Sequence, residues 1–203
     1  MGLDIYAGKL TRYYSRNWKT IVQQLALKIK MAMWIYDERA GDIVEFESLF
    51  RKSAGKPIQY HGEILMLMDK IPVPDKFKLS VILLSTHSEW QQAIKFKTKG
   101  KITSHNSGIE SPYFMLWEKD LREAQAHNER YEYDCISKSN ELMIWNAWED
   151  DKGGLEAWVR GAAMKKEVIA PNHFRYHCND GHVDDNFDEL IFDIIIEFPR
   201  KES

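Results

Sequence analysis

The chain has 203 residues, 44% of them hydrophobic and 29% charged, with a formal net charge of −3. That balance is globular, excludes a disordered polyelectrolyte, and gives no global pull towards nucleic acid, which is not expected as a partner. Cys135 and Cys178 are too few for a disulfide framework and form no CxxC pair, so a reducing, cytoplasmic setting is expected.

Taken in order, the opening MGLDIYAGKLTRYYSRNW is the first candidate site. Leu3 to Tyr6 reads as a short strand, on which Asp4 and Tyr6 share one face. A long amphipathic helix follows, capped by Ser15 or Asn17, with Trp18, Ile21, Val22, Leu25 and Ile29 on its apolar stripe. Arg12 stands just before that helix and is placed to pair with Asp4 or to grip an anion. Tyr13, Tyr14 and Trp18 offer rings for stacking. Residues 1–36 carry six cations against Asp4, whereas residues 171–203 carry eight acids against three bases. The longest apolar run, Ile64 to Met68, is too short to span a bilayer, and no signal peptide is expected.

Asp42 is expected to cap a helix bearing Ile43, Phe46, Leu49 and Phe50, with Gly55 as its stop. Ser53 to Pro57 resembles a phosphate loop only superficially, since it lacks the first glycine and the hydroxyl after Lys56. Phe77 to Leu84 reads as a core strand ending at Thr86, His87 and Ser88. Thr86 and Glu89 fit a capping box, and His87 is the acid–base candidate outside the opening. Ile94, Phe96 and Thr98 alternate with Lys95, Lys97 and Lys99, which predicts a half-buried strand. Its lysines read as blunting an exposed sheet edge, with a phosphate ladder as the alternative.

Further on, Ser111 and Pro112 suggest a helix start, and Glu118 to Arg130 a charged helix with Leu121 and Ala124 inward. Leu142, Met143, Trp145 and Trp148 form an amphipathic piece. Leu155 to Val168 is expected to be a helix burying Trp158, Val159 and Ala162. Residues 173–178 and 189–198 read as a terminal hairpin, with Leu190, Phe192, Ile194, Ile196 and Phe198 facing one way. The predicted architecture is one α+β domain, residues 1–203, with a single mixed or antiparallel sheet of about five strands and four to six packed helices.

The words LDIYAGKLTRYY, YDC and LMIWNAW resemble those of a group of uncharacterised bacterial proteins that open the same way. The resemblance implies a bacterial or phage-related cytoplasmic source and carries over no functional residues.

Three functions compete on these residues. The first is a binding or interaction module whose aromatic-rich surface meets a protein partner or a small anionic ligand, with no cofactor. The second is a hydrolase or transferase for a phosphorylated or nucleotide-like substrate. There Asp4 or His87 is the acid–base group, while Tyr6, Arg12, Tyr13, Tyr14 and Trp18 bind. The third is a metal-dependent hydrolase at His177, His182 and Asp184, within a stretch rich in histidine and carboxylate.

Overall fold

Residues of alternating polarity run through most of the chain, and they become strands. A computed structural model describes residues 44–126 and 130–199. It contains helices α1 (Phe46–Lys52) and α2 (Glu118–Ala126). Its strands are β1 (Ile58–Tyr60), β2 (Glu63–Met66), β3 (Asp69–Pro72), β4 (Lys76–Ser85), β5 (Gln91–Ser104) and β6 (Glu110–Trp117), then β7 (Tyr131–Glu149), β8 (Leu155–Glu156), β9 (Ala163–Ala170), β10 (His173–Asn179) and β11 (Leu190–Glu197). All belong to one antiparallel sheet in the order β1-β2-β9-β10-β11-β4-β7-β5-β6, with β3 and β8 also pairing with β7.

The expected α+β architecture is therefore overturned: eleven strands and two short helices make up the described residues. Each misread segment has a physical reason. Trp158 and Arg160 take φ values of 65° and 54°, which a helix cannot accommodate, so 155–170 breaks into β8, a turn and β9. Ser111 and Pro112 lie inside β6, an outer strand, where a missing N–H is tolerated at the register shift between Lys97 and Ile102. YEYDC and the Leu142–Trp148 piece are one 19-residue strand. Thr86 caps no helix; its hydroxyl accepts from the Arg122 guanidinium.

β7 organises the sheet. Its first third pairs with β4 and its later part with β3 and β8, while β5 follows it along nearly the whole length. Midway both strands are irregular: β5 shifts register between Thr98 and Gly100, and Asn140 of β7 takes φ 53°. The sheet folds over at that point, so two portions face each other. Contacts between strands distant in the pairing order demonstrate this. Tyr176 of β10 donates to Asp69 of β3 at 2.6 Å, and the Lys166 ammonium of β9 reaches the same carboxylate at 2.7 Å. Between the portions lies the core, including Leu79, Ile94, Phe96, Leu142, Ile144 and Phe192, each 0% exposed. Aliphatic and aromatic burial on this scale is the main driving force for such a sheet. A smaller cluster under α1 joins Phe46, Phe50, Leu65, Ala163 and Phe187.

The terminal hairpin forms, with Tyr176 opposite Phe192 and Arg175 opposite Asp193, but β11 ends at Glu197 and Phe198 beyond it is 47% exposed and does not join the inward row. Asp193 is 4% exposed on the outer side of this portion. Arg175 donates to both its oxygens, at 2.8 and 3.1 Å, and His173 lies 2.8 Å away. Burial alone would raise this carboxyl, but the Arg175 and His173 hydrogen bonds outweigh it and hold the pKa below the ordinary value. Its stabilising contribution is thus present above the unfolded-state pKa and fades as pH falls through the lowered one. Arg175→Ala leaves the buried charge poorly compensated. We expect a loss of about 3 kcal/mol in urea unfolding at neutral pH, shrinking in acid; equal loss at both pH values would refute the assignment.

No described helix is long and apolar enough to cross a membrane.

Candidate functional site

The lysine alternation in β5 now has a definite address. β5 lies between β6 and β7, so it is an interior strand and its lysines do not protect an edge. Ile94, Phe96 and Thr98 turn into the core, and Lys95, Lys97 and Lys99 therefore share the opposite, outer face. Register builds the rest of that face. Lys97 is opposite Met143 of β7 and Tyr113 of β6, Lys95 is opposite Trp145 and Met115, and Lys70 of β3 is opposite Met143.

Two ammonium groups converge on one indole. Lys95 Nζ and Lys97 Nζ each lie 5.6 Å from the Trp145 ring centre, and Lys95 Nζ is also 5.5 Å from that of Tyr113. These are cation–π distances. Trp158, held by its left-handed backbone, lies 5.6 Å from Trp145 and covers it. Trp145 is consequently 5% exposed, whereas Trp158 is 42% and Tyr113 39% exposed. Neither Lys95 nor Lys97 has a carboxylate partner among the described residues; Lys70 has Glu141 at 3.9 Å. The arrangement is two cations held over a buried ring, with Trp158 packed on that same ring and Tyr113 beneath Lys95.

A second polar cluster lies where β5, β7 and β10 meet the 180–189 loop. Asp180, fully buried, accepts from Ser88 Oγ at 2.6 Å, Gln92 Nε2 at 2.9 Å and the His182 backbone N–H at 2.9 Å, and His182 Nδ1 is 2.8 Å away. His182 stacks on Trp90 at 4.1 Å, and Trp90 lies parallel to Trp148. Trp90, Trp148 and Gly181 line a cleft of about 520 Å³ with Asp150, Asp151 and Arg160. Ser88 gives its proton to Asp180 and not to a histidine, so no activated serine nucleophile exists here. The buried cysteines are equally inert: burial pushes Cys135 up to about 12 and Cys178 well above its usual value.

Of the residues singled out from sequence, Asp4, Tyr6, Arg12, Tyr13, Tyr14 and Trp18 lie outside the described residues. His87 is exposed between β4 and β5, its Nδ1 3.2 Å from the Asp188 carbonyl and 3.8 Å from that residue's carboxylate. The proposed metal ligands are dispersed: His177 is 3.6 Å from Glu167, His182 is with Asp180, and Asp184 accepts from Asn179. Among the described residues no three histidine, cysteine or carboxylate groups could hold a metal ion. Sequence reasoning missed Tyr113, Trp145 and Trp158; the signal for Lys95 and Lys97 was present in the alternation but was assigned to an edge.

Comparison with known proteins finds no matching family, no matching curated protein and no matching solved structure.

Proposed function

We propose that this protein is a cytoplasmic binding module and that the outer face of β3, β7, β5 and β6 takes an anionic ligand. One observation carries the reading: Lys95 and Lys97 are both held against Trp145, without a carboxylate between them. A protein spends side-chain entropy to hold two like charges against one ring, and an arriving anion offsets that like-charge pairing. Flanking rings and methionines supply apolar surface for the remainder of a ligand. The buried, unpaired cysteines suit a reducing compartment.

The test is calorimetric titration with inorganic tripolyphosphate, a ring-free anion, over a range of salt. Binding that weakens with salt, and falls at least about tenfold in Lys95→Ala/Lys97→Ala, is expected. Absence of binding at low salt would overturn the reading.

A second reading, hydrolysis, rests on His182, whose imidazole is oriented by a buried carboxylate beside a cleft in the manner of a general base. Hydrolysis of a chromogenic phosphate ester that disappears in His182→Gln would favour it over simple binding.

A further inference from the structure

We infer that the anionic ligand of this face is single-stranded nucleic acid, an inference that rests on the binding reading above. A small anion needs only the two ammonium groups. The face offers more: Trp158 and Tyr113 are large rings left 42% and 39% exposed, each adjoining the cation pair through a shared contact. Trp158 packs on the same Trp145 that both lysines cover, and Tyr113 lies beneath Lys95.

Two half-exposed rings and a pair of cations grouped around one indole are the kinds of group a dinucleotide unit calls for: stacking surface for its bases and charge for the linking phosphate. Bases stack on tyrosine and tryptophan without regard to sequence, while lysines follow the backbone. Duplex nucleic acid does not fit this scheme, because its bases are already stacked and its phosphates face outwards. Lys99 extends positive charge along β5, as a polymer requires and a single nucleotide does not, whereas Lys70 across the strands is paired with Glu141. The global charge of −3 does not oppose this, because the charge near the contact, within about a Debye length, governs association.

The experiment compares three probes by fluorescence anisotropy or competition: a labelled oligothymidylate of about ten nucleotides, thymidine monophosphate, and dextran sulfate, a polyanion without rings. The oligonucleotide is expected to bind with a steep salt dependence and far more tightly than the monophosphate. Tyr113→Ala should weaken oligonucleotide binding about tenfold while leaving dextran sulfate binding unchanged. Trp158→Leu should act in the same direction. Tyr113 is exposed, so its variant folds and keeps the test decisive even if loss of the Trp158 cover disturbs Trp145. If oligonucleotide and dextran sulfate bind alike and the aromatic variants alter neither, the nucleic-acid inference is overturned and the anion-binding reading stands. If neither polymer nor tripolyphosphate binds, both are overturned.

Discussion

Glu189→Gln should stabilise the protein, and the gain should grow with pH. Glu189 precedes β11, is 4% exposed, and its Oε2 has no hydrogen-bond partner among the described residues. Burial foremost, then the nearby Asp184 and Asp180 carboxylates, raise its pKa from an ordinary 4.5 to about 8. Native protein therefore keeps this proton at neutral pH, whereas unfolded chain releases it. Where the native state binds more protons, stability falls as pH rises. The penalty is absent below about pH 4, builds through neutrality, and is complete once the native carboxyl itself ionises above about pH 8. Its full size is on the order of 3–5 kcal/mol, taking about 1.4 kcal/mol per tenfold change in acidity. A glutamine side chain at this position has nearly the same shape and no proton to lose. Urea unfolding of both proteins at about pH 5 and about pH 9 should give similar midpoints in acid and a wide separation in alkali. Parallel pH profiles would show that this carboxyl is solvated or paired.

Gly100→Ala should be among the most damaging substitutions of one methyl group. Gly100 is opposite Ser137 where the sheet folds over, and an added Cβ would lie 1.9 Å from the Ile136 carbonyl oxygen and 2.9 Å from its carbon. Both obstructing atoms are backbone, so no rotamer change relieves the clash; β5 and β7 must separate. We expect a loss of about 3 kcal/mol or more, at the upper end of what overpacking produces. Gly62→Ala is the control: its φ of 85° is strained for alanine, but nothing lies within 4 Å, so only about 1 kcal/mol is expected. Equal effects of the two substitutions would mean that the close approach at Gly100 relaxes freely.

Strands whose two faces differ were the legible part of this fold. Phe77–Leu84, Ile94–Thr103 and the terminal hairpin all declare themselves, because one row of residues enters the core and the other meets water. Segments carrying chain reversals were not legible. Residues 155–168 hold apolar residues at spacings that suit a helix, and nothing local announces the left-handed backbone at Trp158 and Arg160. β7 was obscure for another reason: its Ser137–Asn140 irregularity divides one strand into two apparently unrelated pieces. The site was half legible. Lys95 and Lys97 could be seen to share a face, but whether that face belonged to an edge or an interior strand depends on partners as distant in the chain as Tyr113 and Trp145. Trp158 reaches Trp145 only through a turn that the sequence does not advertise. The polar–aromatic opening, Asp4 to Trp18, remains a proposal of the sequence alone.

β7 has a bearing on how the protein can be cut and how it comes apart. One unbroken backbone is shared by both portions of the folded sheet, so neither has a seam along which to detach. Removing the chain beyond residue 130 would strip β4 of both its neighbours, β7 and β11, and β5 of its longest one, baring rows of amides to any passing strand. Fragments ending there should clump and not behave as half-sized domains, and denaturation of this sheet should proceed as a single cooperative event.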